Sequence, residues 1–341
     1  MINSFPPISS GRTWRHSRVL TAAALFLATL CETTQPCVAD DTNYSPAALE
    51  EVIVTAQKRA ENLQDVPVPV TAIAAESLVQ GNQLRLQDYY TSVPGFTVAP
   101  TPSAGGAQLL AIRGVTTGSG TIPTVGIMVD DVPYGSSTFP GMVPDIDPGD
   151  LARVEVLRGP QGTLYGASSM GGLLKFVTVD PSTESWSARV QSDVSGVRNG
   201  TGAGYGVRGS VNIPVNDSLA VRASAFSRTD PGYIDNPVLG ISGINKANAY
   251  GGRLAASWNP ADDIVLKLSA LYQDLRGDGA NDVDIETGLS GLQQNYLPGI
   301  GSYDRKIQAY SANLTAKLGG VELTAVSGYN INHYSDSIDF S

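Results

Sequence analysis

The sequence predicts a small α+β domain followed by antiparallel transmembrane β-strands that form part of a barrel. Three observations lead to this fold class. Gly (37) and Pro (21) are frequent and charged residues make up only 16%, as in β-rich chains with many turns. In residues 64–182 short apolar runs alternate with turn residues. From about residue 183, apolar residues recur at every second position. No run of about 18 apolar residues follows the N-terminal segment, which excludes a bundle of membrane-spanning helices.

The charge balance argues against a nucleic-acid partner. The chain has 32 acidic and 22 basic residues, a formal net charge of −10. Binding to nucleic acid depends largely on cationic side chains that neutralise phosphates. We therefore expect no nucleic-acid partner.

Residues 1–39 have the pattern of a secretory signal peptide. Three basic residues precede an apolar run and a site of small residues: Arg12, Arg15, Arg18, Val19 to Leu30, and Cys37-Val38-Ala39. We predict cleavage after Ala39. Because both cysteines of the chain lie in this segment, the remainder offers no disulfide and no cysteine-ligated zinc site.

Residues 40–63 form a polar lead around a strip of β-favouring residues at 50–59. The strip could be an ordinary edge strand, or a strand free to pair with the sheet edge of a partner. Because the lead has almost no other apolar material, we expect the strip to remain unburied. The pairing residues would be Glu51, Val52, Ile53, Val54, Thr55 and Ala56.

Residues 64–182 predict one compact domain of short elements. The segment from Val66 to Val70 carries two prolines two positions apart, which restricts it to a sheet edge. Helices are predicted at Ala75 to Leu84 and Leu86 to Ser92, and strands at Phe96 to Ala99, Leu109 to Gly114, Val125 to Asp130 and Val154 to Leu157.

From residue 183 onward, the alternation predicts seven strands long enough to cross a bilayer. They lie at about 186–197, 203–213, 218–228, 248–258, 263–275, 306–318 and 321–334. Their links alternate between short and long, which is typical of outer-membrane barrels with short periplasmic turns and long outer loops.

Several motifs occur in one characteristic order. They are Val93 to Phe96, Ile112 to Gly114, Val129 to Pro133, Arg153 to Gly166, and Gly171-Gly172. Together they resemble the plug domain of TonB-dependent outer-membrane receptors, and the 50–59 strip resembles the TonB box of that family. One departure is the strand Leu173 to Thr178, where many members carry a Val-Ile-Asn-like sequence.

The resemblance implies a barrel of roughly 22 strands around the plug. Seven strands are about a third of that number, so we expect the chain to be the N-terminal part of a longer receptor. The implied function is TonB-dependent uptake of a scarce solute across the outer membrane of a Gram-negative bacterium. An iron–siderophore complex is the default ligand. The implied partners are TonB with ExbB and ExbD, membrane lipid and the ligand, without a cofactor.

The resemblance also implies two sets of site residues in the plug. Arg113, Glu155 and Arg158 would face the barrel wall as ion pairs that lock the plug, although plain surface charges are the alternative. Outward loops would present Thr117, Ser119, Tyr134 and Phe139 to ligand, the alternative being ordinary solvated loops.

Other function classes are left with little support. His333 stands alone after the signal peptide, without a catalytic constellation, so we expect no enzyme. The acidic run Asp278 to Glu286 lacks the spacing of a calcium loop, and Gly159 to Gly172 lacks that of a phosphate loop, so we expect no metal site. The alternatives kept open are a non-transporting adhesion or interaction barrel, and a receptor for cobalamin, saccharide or another non-iron ligand.

Overall fold

A computed structural model describes residues 52–100, 108–116, 123–134, 143–144 and 146–338. The predicted signal peptide, its cleavage site and Glu51 lie outside the described residues. No helix among the described residues is long and apolar enough to cross a membrane.

The first part of the chain forms the predicted α+β domain, built on a five-stranded sheet in the order β3-β8-β9-β6-β7. Only the β6–β9 pair is parallel. Its strands are β1 (Ile53–Val54), β2 (Glu61–Asn62), β3 (Val70–Ala74), β4 (Phe96–Pro100), β5 (Gln108–Ile112), β6 (Val125–Val129), β7 (Val132–Tyr134), β8 (Leu151–Arg158) and β9 (Gly172–Thr178). Its helices are α1 (Ala75–Gln80), α2 (Leu86–Tyr89) and α3 (Gly162–Tyr165), with 3-10 turns at Tyr90–Ser92 and Pro148–Asp150.

The core of this domain lies on the central strands β8 and β9, where most of the apolar side chains are buried. Val154, Leu174 and Phe176 pack with Leu78 of α1 in the main cluster. A second cluster contains Leu157, Tyr165 and Leu173, together with Val54 and Ala56 from the lead. Burial of these side chains provides the main stabilisation of the domain.

The predicted elements exist, but several are shorter or shifted. The first helix ends at Gln80 rather than Leu84. The proline segment is not itself a strand, because the edge strand β3 begins at Val70, directly after Pro69. The Gly171-Gly172 motif has a steric reason: Gly172 has a φ of +151°, and a Cβ there would overlap the carbonyl oxygen of Leu157.

The second part of the chain is a seven-stranded antiparallel meander, which confirms the predicted fold class. The strands are β10 (Ser187–Ser195), β11 (Gly204–Asn216), β12 (Leu219–Asp230), β13 (Ala247–Ala261), β14 (Ile264–Gly277), β15 (Tyr303–Leu318) and β16 (Val321–Asp336). Most exceed the predicted lengths, because β-ladder pairing continues beyond the apolar alternation into the flanking loops. The longest have 16 residues.

The two faces of the meander differ in chemistry. One face exposes apolar side chains, among them Val190, Leu254 and Tyr329. The opposite face carries polar and basic side chains and contacts the α+β domain. Because successive side chains of a strand point to opposite faces, this arrangement follows from the period of two.

Candidate functional site

The strip that resembles a TonB box is docked against the α+β domain. Its residues Val54 and Ala56 are 0% and 1% exposed, so the expectation that the strip remains unburied is wrong. Strand β1 pairs with β2, and its alternation directs Val54 and Ala56 into the second apolar cluster. Val52 and Ile53 remain exposed. The apolar residues that bury the strip belong to the folded domain, so the sequence of the lead alone does not predict this contact.

The backbone of Thr55 is held by two oppositely charged side chains. Its N–H donates to Glu155 Oε1 at 2.9 Å, and its carbonyl oxygen accepts from Lys175 Nζ at 3.3 Å. Glu155 and Lys175 lie directly opposite each other on β8 and β9, and their exposed fractions are 0% and 1%. Hydrogen bonds to charged groups are stronger than those between neutral groups. This pair therefore fixes the strip at one residue.

Each of the two charges has its own counter-ion. Glu155 accepts from Arg153 Nε at 2.7 Å, and Lys175 donates to Asp131 at 2.9 Å. Buried charges require such partners, because desolvation of an unpaired charge is strongly unfavourable. The four side chains form one charge-balanced network beneath the strip.

Tyr165 provides a further contact to the strip. Its hydroxyl donates to the carbonyl oxygens of Ala56 at 2.9 Å and Thr55 at 3.3 Å. Burial raises the pKa of Tyr165, as do the nearby carboxylates of Asp131 and Glu155. The hydroxyl therefore remains protonated and acts as a donor at neutral pH.

One edge of β1 faces away from its partner strand. The N–H of Leu63 donates to the carbonyl of Val52 at 2.8 Å, which marks a hydrogen-bonded residue pair. Hydrogen-bonded and non-hydrogen-bonded pairs alternate along an antiparallel ladder. The backbone groups of Val54 therefore face β2, whereas those of Ile53 and Thr55 face the opposite edge. Glu155 and Lys175 occupy this second edge at Thr55.

The loop between β6 and β7 explains the Val129 to Pro133 motif. Asp130 has a φ of +53°, a conformation that Asp tolerates better than most residues. Its carboxylate accepts from the backbone N–H of Thr178 at 2.8 Å, and burial raises its pKa. Asp131 pairs with Lys175. The motif thus connects the sheet to the network beneath the strip.

Of the predicted lock residues, the structure contradicts the role of Glu155. Glu155 binds Thr55 of the docked strip and Arg153 of β8, because its position on β8 directs it toward the strip. The prediction that it faces the barrel wall is therefore wrong. Arg158 donates to the carbonyl of Pro94 at 3.4 Å, and Arg113 is exposed. Neither arginine pairs with a described strand of the meander, and their role at the wall stays a prediction.

Two other carboxylates connect the domain to the meander, and the sequence analysis missed both. Asp147 accepts from Arg208 Nε at 3.2 Å and Nη2 at 3.3 Å. Asp150 accepts from Arg222 Nε at 2.7 Å and Arg253 Nη1 at 3.1 Å. Asp150 is the last residue of the 3-10 turn Pro148–Asp150, and Asp147 caps that turn by accepting from the N–H of Gly149. The Asp-Pro-Gly-Asp run signals a turn, but not what its carboxylates contact.

Three further ion pairs join the domain to the meander nearer its surface. They are Arg85–Asp230 at 3.8 Å, Asp180–Lys267 at 2.6 Å, and Glu76–Arg189. All are more exposed than the pairs of Asp147 and Asp150. Exposed pairs of this kind contribute little to stability. We therefore assign the main electrostatic connection to the two buried aspartates.

We expect the Glu76 contact to weaken in acid. Hydrogen bonds from Arg189 and Gln80 lower the pKa of Glu76 from its ordinary value of 4.5 to about 2. A carboxyl whose pKa is lower when folded adds stability above its unfolded pKa and loses it as pH falls through the folded value. The thermal midpoints of the full-length protein and its Glu76→Gln variant should therefore converge between pH 4.5 and 2. A constant difference across this range would contradict the assignment.

Of the predicted ligand residues, the structure describes Tyr134. It lies in β7 with a side chain 6% exposed, and its hydroxyl contacts Asn332 of β16. Burial is the main cause that raises its pKa. Tyr134 is therefore a buried contact to the wall and does not lie in an outward loop. Thr117, Ser119 and Phe139 lie outside the described residues.

The described residues contain no cluster of three or more His, Cys, Asp or Glu side chains placed to hold a metal ion.

Comparison with known proteins identifies the family of the α+β domain. Residues 62–173 match the family profile of the TonB-dependent Receptor Plug Domain. The chain is 31% identical over 234 residues to an iron-regulated outer membrane virulence protein of Vibrio cholerae, covering 66% of this chain and 34% of that protein. It is 27% identical over 239 residues to a hemin receptor of Yersinia pestis, covering 70% and 32%. The chain thus spans about a third of the length of these relatives.

A solved structure has the same fold. The crystal structure of the ferric yersiniabactin uptake receptor FyuA from Yersinia pestis aligns with a TM-score of 0.67 at 21% identity. The alignment covers 80% of this chain and 42% of that receptor. The arrangement of an α+β domain against a meander of wall strands is therefore shared with a known receptor.

Proposed function

Because the chain carries the plug domain and adjoining wall strands of a TonB-dependent receptor, a protein of the Gram-negative outer membrane, we propose that it serves energy-dependent uptake of a scarce solute. The plug closes the barrel, and TonB pulls on the strip at residues 51–56 to move it. The division into a lead, a plug at 64–182 and a wall from 183 is part of this proposal.

The observation that carries the proposal is the docking of the strip through Thr55. A short strand with one edge facing away from its own partner suits recognition by strand addition. In this chain that edge consists of the backbone groups of Ile53 and Thr55. A partner strand can use the Thr55 groups only after Glu155 and Lys175 release them. Docking therefore makes access to TonB dependent on the state of the plug.

The energy for transport must come from a partner, since the outer membrane has no nucleotide supply. We propose TonB, acting with ExbB and ExbD in the inner membrane, as that partner. Tension on the strip is transmitted along the lead to β2 and then to β3, the edge strand of the plug sheet. An edge strand has neighbours on one side only, so it separates from a sheet more readily than a central strand.

For the ligand, we propose an iron chelate such as a ferric siderophore. The similar proteins support this class by their names, which refer to hemin, iron regulation and ferric yersiniabactin. The ligand would bind at the outer face, which is distinct from the docked strip on the plug.

Replacing Ile53 by Pro tests the role of the strip. Proline removes an N–H from the edge that we assign to TonB and leaves the β1–β2 hydrogen bonds in place. We expect uptake of radiolabelled iron chelates by cells with the full-length receptor to fall at least tenfold. Binding of the same chelates to purified receptor should stay unchanged.

The matched control is Ala60→Pro, in the exposed turn that follows the strip. It should retain uptake. Equal uptake by Ile53→Pro and the parent would contradict strand addition at this edge. If cells with the unsubstituted receptor take up none of the tested iron chelates but still adhere through the protein, the adhesion alternative is favoured.

A further inference from the structure

The inner face of the meander is the face that contacts the plug. Counted from the β11–β12 turn, the first five rows of side chains on this face each include a basic residue. Each row is named after the residue of β12 that points inward. It contains the residues that lie directly opposite in the neighbouring strands, because such residues share a face. Successive rows lie about 7 Å apart along the strand. The rows are those of Ala220, Arg222, Ser224, Phe226 and Arg228.

Pairing register assigns the basic residues to these rows. Lys267 lies in the row of Ala220, Arg222 in its own row, Arg189 and Arg253 in the row of Ser224, Arg208 in the row of Phe226, and Arg305 with Arg228 in the row of Arg228. We call this set the basic ladder. Guanidinium groups remain charged at any physiological pH, so the ladder is permanently cationic.

The four rows nearest the β11–β12 turn contain no inward-facing carboxylate from the described wall strands. In the four rows from Ala220 to Phe226, none of the inward-facing residues of β10–β16 is Asp or Glu. The first wall carboxylate is Asp193, which lies in the row of Arg228 and pairs with Arg208 of the adjacent row at 3.2 Å. The next are Asp230 and Asp336, which lie one row further from the β11–β12 turn. The basic residues of these four rows therefore depend on the plug for most of their charge balance.

Four plug carboxylates provide that balance. Asp180 pairs with Lys267, Asp150 with Arg222 and Arg253, Glu76 with Arg189, and Asp147 with Arg208. The carboxylates belong to α1, the 3-10 turn and the segment after β9, all within the predicted plug. When these segments move away from the wall, the basic side chains remain on the strands and lose these plug partners, while Arg208 keeps the wall carboxylate Asp193 at 3.2 Å.

We propose that the path between the plug and this wall is selective for anions, and that the solute passing along it carries carboxylate or comparable anionic oxygen groups. In the closed state the plug carboxylates occupy the positions that the anionic groups of the solute take during passage. A row of uncompensated cations between low-dielectric walls concentrates anions and repels cations. Guanidinium groups also match carboxylate oxygens in bidentate geometry. The inference rests on the proposed uptake function and specifies its solute class.

Ion selectivity in planar lipid bilayers tests the inference with the full-length receptor. The Asp147→Asn, Asp150→Asn double variant removes the two buried counter-charges and is expected to open the path. In a tenfold KCl gradient we expect a reversal potential showing at least a fivefold preference for chloride over potassium. Citrate, a probe with three carboxylates, should block the current. Adding Arg222→Gln and Arg253→Gln should reduce the chloride preference at least threefold.

The matched control adds Arg276→Gln and Lys306→Gln instead, two basic residues on the outward face of the neighbouring strands β14 and β15. It should leave selectivity unchanged. Conductance without chloride preference, or a preference unaffected by loss of Arg222 and Arg253, overturns the inference. A double variant that stays closed also overturns it, because the plug carboxylates would then not hold the path shut. The measurement contains no TonB, so its failure is distinguishable from a loss of uptake in cells.

Discussion

Replacing Asp150 by Ala in the full-length receptor should make the outer membrane leak. The carboxylate accepts hydrogen bonds from Arg222 at 2.7 Å, Ser224 at 2.8 Å and Arg253 at 3.1 Å. Alanine leaves two largely buried guanidinium groups without this partner. Removing one partner of a buried ion pair costs about 3 to 5 kcal/mol. A tenfold change in an equilibrium corresponds to about 1.4 kcal/mol, so the population with a displaced plug should rise by roughly two orders of magnitude or more.

The measurement is the susceptibility of cells to antibiotics too large for ordinary porins. We expect at least a fourfold fall in the inhibitory concentration for Asp150→Ala. The matched control is Asp217→Ala, in an exposed turn of the meander. Arg158→Glu should resemble this control, because Arg158 contacts the carbonyl of Pro94 and pairs with none of the described wall strands. If the Arg158→Glu variant leaks and the Asp150→Ala variant does not, Arg158 rather than Asp150 holds the plug against the wall.

The seven wall strands could be predicted because each element repeats the same signal many times. In β14, for example, Leu266, Leu268 and Ala270 are separated by the polar residues Lys267 and Ser269. An error in register would move the whole apolar set to the wrong face, so the pattern determines the face as well as the strand. Such elements are specified locally and need no knowledge of the rest of the fold.

The plug elements were harder to predict because they are short and owe their conformation to tertiary packing. Strand β3 has five residues and follows directly on Pro69, so its sequence carries too few repeats to show a period. It becomes a strand because β8 pairs with it from Val70 to Ala74. That pairing spans about eighty residues of sequence and leaves no local trace.

The charge pairs of the site depend on the same long-range pairing. Glu155 could be identified as a buried charge, but its partner across the ladder, Lys175, follows only from the β8–β9 register. One signal was available: Lys175 stands in the apolar strand Gly172–Thr178, and a lysine there requires a counter-ion. Asp147 and Asp150 gave no comparable signal, because acidic residues are common in turns.

Replacing Glu155 by Ala should release the docked strip and strengthen binding to TonB. Glu155 accepts from the N–H of Thr55 and from Arg153, and it is fully buried. Its loss removes the acceptor of the Thr55 N–H and leaves Arg153 and Lys175 with an excess of positive charge. A binding-competent state that is only partly populated weakens the apparent affinity by that fraction. If the docked state predominates in the parent, removing about 3 to 5 kcal/mol of pairing should lower the apparent Kd for a soluble TonB domain at least tenfold.

Mobility of the strip can be measured separately from TonB binding. A nitroxide attached at Ile53→Cys would be the sole label within residues 40–341, since both cysteines of the sequence lie in the predicted signal peptide. Its spectrum should change from a mainly immobile to a mainly mobile component when Glu155→Ala is added. The control is Glu322→Ala, an exposed carboxylate at the start of β16. A mobile label without tighter TonB binding would mean that TonB recognises the strip while it is still docked. An immobile label in the Glu155→Ala variant would instead assign the docking to Tyr165 and the apolar contacts of Val54 and Ala56, which this substitution leaves in place.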